Sequence, residues 1–333
     1  MLKPLSLKSI LWTIVLLALI FAIVDFACYP SRVSTRAPSA NQGKNGLWLR
    51  YLWYFGKKSE KEKESLAARL KDNQIVYAYF HVRSTDAQGR LKFRYRENAL
   101  ALNQFIHDHA PGVRSIAWVY VPSRYGQNGV DLRSSKTRTN LVREADWLIN
   151  DCGFDGIQWD YEFFPCGEPD FTRLLDETRE KLGRDHLISV ATPMWYPFTA
   201  WGWSDGYFSE VASHCDQIAV MCYDSFYYFP RAYTWLVSQQ AVHVTAAVAR
   251  SASDCRVILG IPVYDGGTAG HISHSENIRT ALVGVREGLA EPGAVESVFD
   301  GIAPFADYTM DNEEWRIYRE SWLENQGFDG GAD

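Results

Sequence analysis

The sequence predicts the α/β class and, within it, a (β/α)8 TIM barrel, on three observations. Strand-like and helix-like segments alternate, eight of each, through residues 47–325. Alternation at that spacing implies a parallel sheet, and a count of eight implies that the sheet closes on itself. Second, one mid-chain stretch, residues 154–164 (FDGIQWDYEFF), sets Gln158, Asp160 and Glu162 at every second position among Ile157, Trp159, Tyr161 and Phe163. Third, the 333 residues accommodate one barrel of the usual size, about 250 residues, plus an N-terminal extension, with no sign of a second domain.

The extension has its own chemistry. Lys3 and Lys8 precede an apolar run, residues 10–24, broken only by Thr13 and closed by Asp25. The run is short for a span of about 20 residues and suits the core of a signal peptide. Phe26 and Ala27 lengthen it, so an uncleaved anchor stays open. Lys before the run and few basic residues after it predict a cytoplasmic N-terminus and an exported body. Residues 1–28 are therefore read as signal peptide or membrane anchor, residues 29–45 as a linker and residues 46–333 as the barrel. The expected location is periplasmic or extracellular, with residues 10–24 the only membrane contact. Asp25, three positions before Cys28, argues against lipidation.

Composition excludes some partners. The net charge is −6, and no basic stripe interleaved with aromatics occurs, which argues against nucleic acid. The 12 Trp and 18 Tyr fit barrel packing and also a sugar-binding cleft. Export permits disulfides. The six cysteines lack CxxC or metal-type spacing, which argues against zinc. Cys215 and Cys255 each precede a predicted strand on neighbouring units and are the pair to test first; separate buried thiols fit equally well.

The units run in order. Strands are predicted at residues 47–55, 74–82, 114–121, 154–164, 187–192, 217–223, 256–263 and 297–305, from their β-branched and aromatic content. Helices are predicted at 59–72, 97–109, 137–151, 170–182, 205–213, 232–250, 276–289 and 312–325, from charge, Ala/Leu content and helical spacing, with Pro or Gly as stops.

Side chains at i, i+2 and i+4 of a strand share a face. On the fourth strand that face carries Gln158, Asp160 and Glu162, converging on the barrel axis near the carboxyl end, where barrels of this class place their chemistry. A half-exposed strand with its acids in water would show the same alternation; the bulk of Trp159, Tyr161 and Phe163 argues against it. Met221 and Tyr223 share a face at the end of strand six, with Asp224 following. Tyr264 and Asp265 close strand seven, and Trp195 and Tyr196 follow strand five. Tyr223 equally suits a core tyrosine, Asp265 a turn residue before Gly266-Gly267, and Trp195 either a stacking platform or a loop anchor. His243 is expected on a helix surface; His271 and His274 lie in a loop that can line the cleft.

FDGIQWDYE resembles the D-G-x-D-x-D-x-E signature of glycoside hydrolase family 18, the chitinase family. MCYD, ending at Asp224, is similar to that family's M-x-Y-D, and LGIPVYDGG to its LGxPxYG. The resemblance implies a retaining, substrate-assisted glycosidase acting on β-linked N-acetylglucosamine glycans such as chitin or peptidoglycan, an exception to the two-carboxylate scheme. Glu162 would be the general acid, Asp160 the partner of the acetamido N–H and the oxazolinium, and Tyr223 the donor to the acetamido oxygen. Asp224 would bind the sugar or the same acetamido group. Gln158, Trp195 and Tyr264 would belong to the substrate site, with Phe305 or Tyr308 as its aromatic floor in place of the family's Trp. The resemblance calls for an N-acetylated glycan and for no metal or cofactor, and a monomer is expected. Three departures mark a divergent member: Gln158 replaces a further Asp, strand three lacks S-x-G-G, and the floor Trp is missing. A non-catalytic sugar-binding barrel, and a glycosidase with a carboxylate nucleophile such as Asp224 or Asp265, are the rival readings.

Overall fold

The computed structural model describes residues 6–32, 40–196 and 202–323. Among them, eight parallel strands follow one another around the sheet in chain order. They are β1 Asn45–Leu49, β2 Ile75–Ser84, β3 Arg114–Pro122, β4 Gly156–Glu162, β5 Leu187–Thr192, β6 Gln217–Met221, β7 Arg256–Pro262 and β8 Phe299–Phe305. Ladders join each strand to the next. The last seam, β8 to β1, is bridged by single bonds: Asn45 Oδ1 accepts from Ile302 N at 3.2 Å, and Asp307 N, just past β8, donates to Trp48 O at 3.0 Å. The result is a nearly closed (β/α)8 TIM barrel.

The helices are α1 Leu7–Arg32, α2 Glu60–Asp72, α3 Arg96–His109, α4 Ser135–Asp146, α5 Pro169–Leu182, α6 Asp205–Ala212, α7 Pro230–Arg250, α8 Ile278–Ala290 and α9 Asn312–Tyr318. Local signals set their ends. Ser59 and Glu62 form a capping box on α2, and Asn277 with Thr280 and Asp311 with Glu314 do the same on α8 and α9. Pro169 opens α5 and Pro230 opens α7, where a missing N–H costs nothing. α4 and α9 each run on into a π-helical turn, Trp147–Asp151 and Arg319–Leu323. The end of the predicted helix at 312–325 lies outside the described residues.

The alternation of each strand sorts its side chains into two layers. Outward residues such as Ile157, Trp159 and Tyr161 are buried against Phe171, Leu174 and Leu175 of α5 and its counterparts. Inward residues Trp48, Tyr79, Ile116, Trp118, Ala219, Ile258 and Ala303 fill the barrel itself. Polar side chains thread this interior: Trp48 Nε1 donates to Gln158 Oε1, Gln158 Nε2 to Ser189 Oγ, and Ser189 Oγ and Tyr79 OH both to Gln217 Oε1. Buried polar groups satisfied in this way do not carry a desolvation penalty unanswered.

Several strands are shorter than the sequence predicts. β1 stops at Leu49, and residues 50–56 form turns in which Trp53 and Tyr54 are buried. The aromatic run reads as strand throughout, yet the barrel takes only its first part. β4 stops at Glu162 because Phe163 adopts φ +57° and is 69% exposed. Phe163 therefore does not continue the apolar face that the alternation predicts for it.

α1 contains, from Leu7 to Tyr29, the described helix long and apolar enough to cross a membrane. Only its C-terminal end touches the barrel: Phe26 stacks on Tyr228 at 5.0 Å, Asp25 pairs with Arg231 at 2.7 Å, and His274 Nε2 meets Phe26 O at 2.6 Å. Of the predicted linker, residues 29–32 continue α1, and residues 33–39 lie outside the described residues. Cys215 and Cys255 are buried with their sulfurs 3.8 Å apart and unbonded.

Candidate active site

Register aligns the groups that matter. Trp118 of β3 lies beside Gln158, Tyr120 beside Asp160 and Pro122 beside Glu162 of β4; on the other side Gln158 lies beside Ser189 of β5. The inward row of β4 thus steps from the barrel interior to its carboxyl-end mouth. Gln158 is fully buried, Asp160 is 3% exposed, and Glu162 reaches the cavities at the mouth. Gly156, at the start of the strand, is fixed by packing: a Cβ there would stand 2.6 Å from Leu187 O. Asp155, the first acid of the motif, works at the opposite end of the strand. It accepts from Ser115 N at 2.7 Å and from Ser115 Oγ at 3.1 Å, tying β3 to β4.

Asp160 and Glu162 share the inward face of β4, and each perturbs the titration of the other. Trp118 Nε1 donates to Asp160 Oδ2 at 2.7 Å. Asp160 Oδ1 is buried with no hydrogen-bond partner among the described residues, and the Glu162 carboxyl follows two positions on along the same face of β4. Burial, then the neighbouring Asp160, then Asp224, hold Glu162 well above the ordinary carboxylate range. Burial raises Asp160 as well, opposed by the bond from Trp118. Both carboxyls are thus raised, Glu162 the more strongly, which makes it the better placed of the two to hold a proton.

Two cavities meet at Glu162. One, of about 370 Å³, is lined by Asp160 and Glu162, by Trp118, Tyr120 and His81 from β2 and β3, by Phe305 and Tyr308 after β8, and by Arg50, Tyr51 and Arg83. The other, of about 250 Å³, is lined by Glu162, Phe163, Phe164, Pro193, Met194, Met221, Tyr223 and Asp224. Tyr223 packs its ring on Phe305, centroids 4.7 Å apart and 20° from parallel. Its hydroxyl makes no hydrogen bond among the described residues. Burial first, and then the nearby Asp160, push that phenol well above its ordinary range, so it stays protonated and can donate.

Asp224 is held by a scaffold of its own. Its backbone takes φ +56°, and its Oδ1 accepts from Tyr264 OH and Thr268 Oγ1, both at 2.7 Å. Behind it, Glu276 Oε1 accepts from Ser225 N and Oγ at 3.0 and 2.6 Å, and burial lifts the Glu276 carboxyl to about 7. Asp224, His271 and Glu276 offer donor atoms within 4.8 Å of one another, the one group of metal-ligand spacing among the described residues.

The sequence profile of glycosyl hydrolases family 18 matches residues 50–322. The chain belongs to glycosyl hydrolase family 18. Its fold is similar to that of a Bacteroides thetaiotaomicron chitinase, at 13% identity over 87% of this chain and 99% of the other, TM-score 0.57. It is similar to the C-terminal domain of a candidate chitinase from Desulfitobacterium hafniense DCB-2, at 14% identity over 86% and 99%, TM-score 0.60. The Bacillus cereus spore cortex-lytic enzyme SleL matches at 11% identity over 84% and 74%, TM-score 0.55. At such identities the likeness speaks for the fold alone. No curated protein matches the chain.

Within this family 18 barrel most of the predicted residues converge. Asp160, Glu162, Phe305 and Tyr308 line the first cavity, and Glu162, Tyr223 and Asp224 the second. Three do not reach the cavities in the way the sequence suggests. Gln158 lies beneath them and bonds Trp48 and Ser189, not Asp160, because its register neighbour Ser189 takes its amide. Tyr264 stands behind Asp224 and positions it. Trp195 is a loop anchor: its backbone exchanges two hydrogen bonds with the Gln240 side chain and its ring stacks on His243 at 3.6 Å. It lines a third cavity with Tyr196 and Ser204, away from Glu162. His243 is accordingly half-buried, and His271 is buried under Tyr264.

Sequence reasoning missed Trp118, the hydrogen-bond donor to Asp160, along with Arg50, Tyr51, His81, Arg83 and Tyr120. For Trp118 a signal existed: its position in SIAWVYV puts it on the face that Ile116 and Tyr120 share.

Proposed function

We propose that this protein is an exported glycosidase that hydrolyses β-linked N-acetylglucosamine-containing glycans with retention, using the substrate's own acetamido carbonyl as nucleophile. The observation that carries the reading is geometric: Asp160 and Glu162 follow each other on the inward face of β4, Glu162 lines both cavities at the mouth, and the Tyr223 hydroxyl lines one of them beside it. A neutral carboxylic acid at the boundary of two cavities suits a general acid, with a glycan threaded past it on both sides.

In this scheme Phe305 offers an apolar face to a pyranose ring. Glu162 donates its proton to the glycosidic oxygen as that bond breaks. The acetamido oxygen, oriented by the Tyr223 hydroxyl, closes on the anomeric carbon. Asp160, fixed by Trp118, accepts from the acetamido N–H and offsets the positive charge of the oxazolinium. Glu162, now a carboxylate, takes a proton from the water that opens the ring, which restores the starting state. Asp224, held by Tyr264 and Thr268, is placed to hydrogen-bond the same sugar. Membership of glycosyl hydrolase family 18 supports a glycan as the substrate, and the apolar α1 supports export, as signal peptide or as anchor.

The test is hydrolysis of N-acetylglucosamine oligomers and peptidoglycan strands, with fully deacetylated oligomers alongside. Cleavage of the acetylated substrates only, inhibition by a thiazoline analogue of the oxazolinium, and a kcat lowered roughly 10²- to 10⁴-fold in Glu162→Gln are expected. Turnover of the deacetylated substrate, or indifference to the thiazoline, would overturn the mechanism.

A further inference from the structure

The first cavity has a positively charged end. Arg50 follows directly on β1, and Arg83 lies near the end of β2, in a segment where the β2–β3 register shifts between His81 and Ser84. Arg83 takes φ +75° there. A bulge of this kind re-aims a side chain, and here Arg83 lines the same cavity as His81, Asp160 and Glu162. The two guanidiniums converge on one ring: Arg83 lies 4.7 Å and Arg50 5.5 Å from the Tyr51 centroid, and Arg50 also lies 5.2 Å from that of Tyr308.

Neither guanidinium has a carboxylate or any hydrogen-bond acceptor among the described residues. The other described arginines that sit over aromatic rings behave differently. Arg69, Arg94, Arg124 and Arg231 also sit over aromatic rings, and each of them holds an acid: Asp307, Glu144, Glu168 and Asp25 respectively. Nor does either arginine make a hydrogen bond or ion pair with Asp160 or Glu162: the side-chain donor to Asp160 is Trp118. Two solvent-accessible cations therefore line a cavity in a chain of net charge −6, and Asp160 and Glu162 line the same cavity. His81 adds a buried Nε2 with no partner. Guanidinium forks fixed on aromatic rings match carboxylate or phosphate oxygens bidentately.

We infer that Arg50 and Arg83 form a subsite for an anionic substituent, carboxylate or phosphate, on a sugar unit on the β1–β2 side of the cleaved bond. This deepens, and rests on, the reading of the cleft as a glycan site. The substrate class is an acidic aminosugar glycan, such as a strand with free lactyl carboxylates, and not a uniformly neutral polymer.

The test uses the full chain with Glu162→Gln, so that binding is measured without turnover. Calorimetric titrations compare peptide-free glycan strands bearing lactyl carboxylates, the same strands with those carboxyls amidated, and N-acetylglucosamine oligomers with and without a 6-phosphate. At least tenfold tighter binding of one charged form than of its neutral counterpart is expected, with the advantage shrinking as salt rises. The arm that gains names the anion. Adding Arg50→Gln and Arg83→Gln should bring the charged-to-neutral ratio close to one. Equal binding of charged and neutral forms, or a preference that survives the double substitution, would overturn the inference. Those outcomes leave the glycosidase reading standing. Conversely, a wild-type protein that prefers the charged strand yet cleaves nothing would sink the glycosidase reading and keep the subsite.

Discussion

Trp118 holds Asp160 by a hydrogen bond of 2.7 Å. Its N–H stabilises the charged form of Asp160, so replacing it with Phe removes a bond to an anion and raises the Asp160 pKa further. The acidic limb of the kcat/KM profile of Trp118→Phe should therefore move to higher pH, with about a tenfold loss at the optimum, from the value of a hydrogen bond to a charged group. A profile that keeps its acidic limb while falling in height would reduce Trp118 to packing. Glu162 carries a second consequence. Its folded-state pKa stands above its unfolded value of 4.5, so the native state binds more protons and stability is lost as pH rises towards the raised pKa. Glu162→Gln removes that loss. Denaturant melts should find the variant no different from wild type below about pH 4 and increasingly more stable above it, the pattern of a site kept for function at the expense of stability. A stability difference independent of pH would contradict the assignment of the proton to Glu162.

The decisive element is β4, because its two ends do different work. At the amino end Gly156 permits close packing on β5 and Asp155 ties the strand to Ser115; at the carboxyl end stand Asp160 and Glu162, the proposed catalytic pair. Gly156→Ala would drive a Cβ to within 2.8 Å of Leu187 Cβ as well as 2.6 Å of its carbonyl oxygen. An overpacking loss of about 1–3 kcal/mol should follow in chemical denaturation, with the pH profile unaltered because the acid pair lies at the far end. A neutral substitution would mean that β5 has room the geometry denies it.

Seen as a whole, the molecule is a barrel with a long apolar helix touching it at one end only. Removing residues 1–39 deletes α1 and its contacts at Asp25 and Phe26 but leaves Asn45, which bridges the β1–β8 seam. The truncated chain should melt within a few degrees of the full one and partition out of the membrane fraction. A barrel that fails to fold without α1 would make the helix part of the body and not an export signal or anchor.

Strand order, the inward polar row of β4 and the placing of Tyr223 and Asp224 at the mouth were legible in the amino-acid string. They rest on period-two alternation and on the alternation of strands with helices, both local properties of the chain. The chain could not reveal by itself where β1 and β4 end, because Tyr51 and Phe163 have strand chemistry and leave the sheet only through the turns around them. Nor could it tell that Gln158 would turn to Ser189, that Trp195 would anchor on Gln240, or that Arg50 and Arg83 would meet over one tyrosine. Those outcomes depend on which strands become neighbours and at what register. Hydrogen bonds and charges act across a few ångströms of space, and only the closed barrel determines which residues are that close.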